Sequence, residues 1–404
     1  MHFFILHSKF EIRNLFYDRS VIAVLFPRFD HDAIEERYAS WQSRMLLQRE
    51  PDIEFALYDP DEPASAASGL VTSSHALVIT DPLLLPPERL ASRLHEVLER
   101  TPAAAAAVPV SNEASRPEQR RAPSSPYLTL NEMETVMRDM RTNTGAPTVV
   151  TWDDSDPGVF AMSTDLLDTI KELPRHALKG RQVVISPAEY VHRWISMRAK
   201  MRDDLLDFVP VEARSMIELG CGEGALGQAV KARQRARVVG VELDRAAAAI
   251  ARKRIDDVYQ GDVEEIVSLL HEKFDCIVAS EIIEHVIDPW SLLGELRRIA
   301  APGGQLILSI PNLAHASIIS DLLEGRFDYA YIGLTCVGHL RFFTRRSIEE
   351  MLRIAGWEVL EITAQQQNGM AAEELLRRLN PPPSNLMRED LTATGFYVVA
   401  QNPR

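Results

Sequence analysis

Between residues 216 and 310 four short apolar runs recur, with helically patterned segments between them. The runs are residues 216–219 (MIEL), 238–243 (VVGVEL), 274–280 (FDCIVAS) and 305–310 (QLILSI). Residues 225–233, 245–254 and 290–300 carry apolar side chains at helical spacing. Continuous apolar strands alternating with helices predict a parallel sheet covered on both faces, an α/β fold. Residues 357–362 and 395–400 add two further strand-like runs near the end.

The first of these strands runs into Glu218-Leu219-Gly220-Cys221-Gly222-Glu223-Gly224. Glycines allow a sharp turn and a close approach of backbone to ligand. The helix that follows points free N–H groups at that ligand. Two cofactors compete for such a turn. Gly222, Gly224 and Gly227 also satisfy the GxGxxG dinucleotide fingerprint, and Glu242 at the next strand tip suits a ribose in either case. Three features favour a methyl donor with a methionine-like tail. Glu218 ends the strand, where its carboxylate suits an ammonium group and would repel a pyrophosphate. Gly261-Asp262-Val263 follows the expected third strand, and Asp262 can accept from an adenine amine. Ala301-Pro302-Gly303-Gly304 links a helix to the run at 305–310.

In the order IELGCGEG, VGVELD, GDVEE, FDCIVASEIIEHV and APGGQLILSIPN, residues 186–404 resemble the class I S-adenosylmethionine-dependent methyltransferases. The likeness is to the branch with ubiquinone-type O-methyltransferases and the methyltransferases of bacterial polysaccharide clusters. It implies a seven-stranded Rossmann-like sheet with helices on both faces, its last strand (395–400) antiparallel. It also implies S-adenosylmethionine contacts from Glu218, Gly220, Cys221, Gly222, Gly224, Glu242, Leu243, Asp262, Val263 and Ser280.

Methyl transfer from a sulfonium is an in-line displacement, so the protein mainly aligns the acceptor and excludes water. A hydroxyl acceptor benefits from a general base. Catalytic candidates follow the fourth strand: Glu281, Glu284 and His285, which share one face if that turn is helical. His285 is the expected base. The resemblance to ubiquinone-type enzymes offers the same three residues as divalent-metal ligands, although no metal is expected. A third reading has Glu284 and His285 only tying down the loop. Residues 312–344 are expected to cover the acceptor, with Asn312, His339 and Arg341 as candidate contacts. The stretch EGRFDYAYIGLTCVGHLRFFT resembles the acceptor-side insert of the polysaccharide-cluster enzymes, with Thr335, Cys336 and Val337 where those commonly carry an aspartate. The expected acceptor is a hydroxyl of a glycan, nucleotide sugar or related small molecule. The alternatives are a quinone-like or protein acceptor, or a non-catalytic scaffold that keeps the fold.

Residues 1–185 form a smaller α/β domain on this reading. Strands are expected at 21–26 and 76–80, with helices at 87–100 and 131–141. Met133, Val136, Met137 and Met140 are expected to pack in a core. Residues 76–100 and 108–113 resemble part of a GT-A glycosyltransferase, with Thr80-Asp81-Pro82 where those enzymes carry a second aspartate. The resemblance implies a degenerate relative; an accessory or dimerising domain is the other reading. Ser186-Pro187-Ala188-Glu189 carries the cap, proline and capping-box glutamate of a helix start, so a helix is expected over 186–208.

The net charge of −14 argues against a nucleic-acid partner. Cys221, Cys276 and Cys336 show no metal-ligand spacing and no disulfide framework, which fits a cytoplasmic protein. No apolar run reaches the roughly 20 residues of a membrane span, and residues 1–16 lack the order of a signal peptide. A homodimer is allowed for.

Overall fold

The computed structural model describes residues 22–27, 53–59, 64–81, 84–123, 127–142, 144–170, 177–193, 202–330, 333–365, 369–379 and 388–403. The chain divides into two compact units. The first comprises Met1–Ser124 and Met137–Arg193; the second comprises Ser125–Val136 and Trp194–Arg404.

The first unit contains strands β1 (Ile22–Pro27), β2 (Glu54–Tyr58), β3 (His75–Ile79), β4 (Leu84–Leu85), β5 (Ala106–Ser111), β6 (Thr148–Thr151), β7 (Val159–Ser163) and β8 (Gln182–Arg193). They form one sheet in the order β2-β1-β3-β7-β5-β8-β4, with β6 also paired to β8. β7 is inserted antiparallel between β3 and β5. The helix Leu90–Glu99 buries Leu90, Ala91, Leu94 and Leu98 against the sheet residues Val24, Leu77, Ile79, Ala161 and Val184. The strand and helix expected at 21–26 and 87–100 correspond to β1 and this helix.

The helix expected from Ser186 is not formed. Residues 182–193 are β8 instead, and residues 194–201 lie outside the described residues. Val183, Val184, Ile185, Tyr190 and Val191 are all buried, and such β-branched and aromatic side chains suit a pleated surface. β8 pairs parallel with β5, and the register skips from Pro109↔Ser186 to Val110↔Tyr190. Pro187 sits inside that irregularity, where a missing N–H costs the ladder nothing. Glu189 is therefore no capping residue. It is buried, and Arg93 Nε donates to it at 2.8 Å.

The second unit contains β9 (Ser215–Leu219), β10 (Arg237–Glu242), β11 (Asp257–Gln260), β12 (Phe274–Ser280), β13 (Ala300–Pro311), β14 (Glu358–Ala364) and β15 (Gly395–Gln401). They form a seven-stranded sheet in the order β11-β10-β9-β12-β13-β15-β14. β15 runs antiparallel to both of its neighbours, as expected for the last strand. Alternate side chains of each strand enter opposite layers. Ile217, Leu219, Val239, Val241, Ile277 and Leu308 join Leu293, Leu296, Ile348 and Leu352 on one face. Met216, Val238, Cys276, Val278 and Ile307 join Leu205, Leu226, Val230 and Ile255 on the other. Glu218 alternates with Ile217 and Leu219 and so faces the same layer as Met216, at the carboxyl end of a central strand.

Candidate functional site

The turn after β9 is built from three residues at positive φ: Gly220 (67°), Gly222 (54°) and Gly224 (77°). Each favours glycine for that reason. A Cβ on Gly220 would also stand 2.3 Å from Ile282 Cδ1, so the Ile282 side chain would have to shift. Gly224 is the cap residue of the helix Ala225–Arg233. A Cβ on Gly227 would meet Ile255 and Val238 at 2.7 and 2.8 Å, so this glycine serves helix-to-sheet packing.

Four carboxylates gather at the carboxyl ends of β9, β10 and β12. Glu242 is tied into the turn: Gly222 N–H donates to Oε2 at 2.7 Å and Asp244 N–H to Oε1 at 2.8 Å. Glu218 is buried, and its Oε2 has no hydrogen-bond partner among the described residues. Burial pushes its pKa up to about 8, with the negative charge of Glu242 adding to the rise. An orphaned buried carboxylate oxygen is costly unless a cation completes it. The site therefore suits a ligand whose ammonium group would complete that oxygen.

Beyond β12, Glu281 adopts φ 53°, a left-handed conformation rare for a non-glycine residue. Only Ile283–His285 forms a short 3₁₀ turn. The single helical face expected for Glu281, Glu284 and His285 is thus absent. Glu281 turns back to β13: its N–H donates to Ser309 O at 2.9 Å, and Ser309 Oγ donates to its carboxylate. Glu284 is buried with neither oxygen partnered, and burial and the Glu281 charge hold its pKa well above the usual range. Glu284, His285 and His339 are the residues whose donor atoms converge, within 4.8 Å of one another.

The His285 ring is oriented from a distant loop. Its Nδ1 lies 3.0 Å from Gly338 O, so that nitrogen carries the proton and Nε2 keeps a lone pair. Desolvation lowers the His285 pKa, against a smaller opposing effect of that hydrogen bond. His339 packs edge-on to His285 with centroids 4.9 Å apart. Burial, helped by His285, pushes its pKa down to about 3. The rings continue from His339 to Phe342, Phe327 and Tyr329, with centroid separations of 6.1, 5.5 and 5.4 Å. Leu340 and Arg341 dock their N–H groups on Glu284 O at 2.8 and 3.0 Å. The Arg341 guanidinium donates to Ile287 O at 2.5 Å.

Other candidates are committed elsewhere. Asn312 is wholly buried and donates both amide hydrogens to Asp390 O and Ala393 O, so it braces the start of the covering segment. Asp262 caps the helix Val263–Leu269 through Glu264 N–H and is exposed at the strand end beside Val263. Cys221 is buried against Gly240, and Leu243 is an exposed apolar residue at the tip of β10. Sequence reasoning missed Arg202. Its guanidinium donates to Ser280 Oγ at 2.6 Å and to Ser309 Oγ at 3.5 Å, and pairs with Asp204 at 2.8 Å. Its only sequence signal was an arginine just ahead of the first strand, lost inside the mistaken helix.

Residues 193–362 match the methyltransferase domain family. The C-terminal half of this chain is a class I S-adenosylmethionine-dependent methyltransferase. The ubiquinone biosynthesis O-methyltransferase of Hahella chejuensis is 25% identical over 201 residues, covering 46% of this chain and 84% of that protein. The protein of the same name from Alkalilimnicola ehrlichii is 32% identical over 123 residues, 29% of this chain and 49% of its own length. Among solved structures, the N-methyltransferase NodS of Bradyrhizobium japonicum, in complex with S-adenosyl-L-homocysteine, is similar at 15% identity and a TM-score of 0.32. That match covers 50% of this chain and 83% of NodS. The methyltransferase uses S-adenosylmethionine as its cofactor. No helix among the described residues is long and apolar enough to cross a membrane.

Proposed function

We propose that the methyltransferase transfers a methyl group to a hydroxyl on a ring-bearing small molecule, with His285 as general base. The observation that carries this reading is the Nδ1 contact of His285 with Gly338 O at 3.0 Å. It leaves Nε2 as the proton acceptor, and the lowered pKa keeps the imidazole neutral near pH 7. His285 takes the hydroxyl proton as the acceptor oxygen attacks. Glu218 holds the ammonium of the cofactor through its orphaned oxygen, and the Gly220–Gly224 turn supplies the close backbone approach. Glu242 receives the ribose hydroxyls, Asp262 and Val263 flank the adenine, and Leu243 covers it. Arg202 and Ser280 orient the methionine end. S-adenosylmethionine supplies an electrophilic methyl on a good leaving group. The protein therefore needs a base, alignment and the exclusion of water.

His339, Phe342, Phe327 and Tyr329 form an aromatic wall running from His285, which suits a flat phenolic acceptor. The names of the curated relatives point the same way. A glycan hydroxyl is the second reading, favoured by the likeness of residues 324–344 to the polysaccharide-cluster enzymes. Arg341 is spent on the Ile287 carbonyl and so serves to shape the wall. The first unit, on this reading, is an accessory domain related to GT-A glycosyltransferases.

The test is turnover of labelled cofactor with a panel of phenols and of sugars. A His285→Ala variant should lose about 10²- to 10⁴-fold in kcat while binding the cofactor as wild type does. Wild-type turnover by that variant would remove His285 from the chemistry. Turnover of sugars alone would replace the phenolic acceptor with the glycan.

A further inference from the structure

Among the described residues, two clusters place three donor atoms within 4.8 Å of one another, and one of them has no part in methyl transfer. His75, His95 and Glu99 belong to the first unit. His75 opens β3, and His95 and Glu99 lie one turn apart on the helix Leu90–Glu99. The spacing i, i+4 puts both helix side chains on one face. That face meets the start of β3, since the His75 and His95 ring centroids are 4.4 Å apart with planes inclined at 55°.

Three observations point to an ion between these groups. His95 Nδ1 is buried and has no hydrogen-bond partner among the described residues. The His75 and His95 rings stand in contact, so one nitrogen of each can face the same ion. Ser74 Oγ lies 3.1 Å from His75 Nδ1, an outer contact of the kind that fixes a ligating ring and leaves Nε2 for a metal. Glu99 completes the set with an exposed carboxylate, free to rotate inward.

We infer that His75, His95 and Glu99 form a binding site for a divalent transition-metal ion, with zinc as the best match. Two imidazoles and one carboxylate suit Zn(II), and also Co(II), Ni(II) and Cu(II). The set is too rich in nitrogen for calcium or magnesium, which prefer all-oxygen shells. Three protein donors leave a fourth position to water. The donor atoms lie within 4.8 Å of one another, and rotation of Glu99, the one exposed member, brings its carboxylate toward the two imidazoles. The ion clamps the last turn of the helix to the first residue of β3. It thereby crosslinks two elements that the apolar contacts of Leu94 and Leu98 already bring together.

The experiment is titration of the chelator-treated full chain with Co(II), followed by its visible absorption, and with Zn(II), followed by calorimetry. Wild type should bind with an intense band characteristic of four-coordinate Co(II). His95→Ala should bind one equivalent fewer than wild type and lose that band. Glu99→Gln, at an exposed position that leaves folding untouched, should weaken binding about tenfold or more. His339→Ala, in the other cluster, should keep the band. Zn(II) should raise Tm in wild type and His339→Ala but not in His95→Ala. Equal stoichiometry in wild type and His95→Ala, or loss of the band in His339→Ala alone, would overturn the assignment. So would wild type without saturable binding.

Discussion

The two units solve the same architectural problem and leave their acidic groups in opposite conditions. Each builds a mixed sheet with an antiparallel strand inside it, β7 in the first and β15 in the second, and the first also pairs β4 and β6 antiparallel with β8. In the first unit the acidic groups near strand ends are answered by the protein itself. The Arg193 guanidinium pairs with Asp81 next to β3, Arg93 pairs with buried Glu189, and Thr80 donates to Asp156 at 2.7 Å. In the second unit Glu218 keeps one oxygen without a partner and Glu284 keeps two. A shared sheet plan therefore says little about activity; the unanswered carboxylates mark where a ligand is expected.

The strongest way to break this contrast is at Gly220. Gly220→Val forces a β-branched residue to φ 67° and against Ile282. The two effects together should cost about 3 kcal/mol or more, visible as a fall in Tm and loss of cofactor heat in calorimetry. A variant with wild-type Tm and heat would mean the turn is not held as described.

Glu218→Gln comes next. Losing a charge-assisted contact should weaken S-adenosylmethionine binding roughly 10- to 100-fold. The same substitution should change the stability of the ligand-free protein with pH. The folded pKa, about 8, lies above the ordinary glutamate value of 4.5. Below about 4.5 both states are protonated and no cost arises. Between the two values the folded state holds a proton that the unfolded chain has released, so stability falls as pH rises. Glutamine cannot titrate, so the Tm of the variant should overtake wild type progressively from pH 5 to 8. Parallel Tm curves for the two proteins across that window would show that Glu218 is not held protonated.

The smallest effect is expected in the first unit. Arg193→Ala removes a partly exposed ion pair, worth about 1 kcal/mol or less after solvent screening. Denaturant unfolding should detect that change, and cofactor affinity should stay as in wild type. A large loss of cofactor affinity would mean that the paired carboxylates of the first unit also serve the ligand.

Much of the second unit was legible because its signals are local. A strand, a glycine turn and a helix follow one another within residues 215–233, and the apolar period identifies each in turn. The first unit was less readable because its sheet is stitched from distant pieces. β8 carries a local helix signature at Ser186-Pro187-Ala188-Glu189, yet pairing with β5 and burial of Val183, Val184 and Ile185 outweigh it. Local capping is worth about a kcal/mol, and burying several branched side chains is worth more.

The sequence alone determined the parallel sheet of the second unit, the glycine turn and the acidic residue that ends the strand before it. Those features are written in neighbouring residues, where backbone geometry leaves few choices. Only the tertiary structure decided what stands around the reacting end. His285 takes its tautomer from Gly338, 53 positions away, and Glu281 takes its strained backbone and its partner from Ser309. Arg202 reaches Ser280 across 78 positions. No local pattern encodes such contacts, because they depend on which loops the packed sheet brings to the same edge.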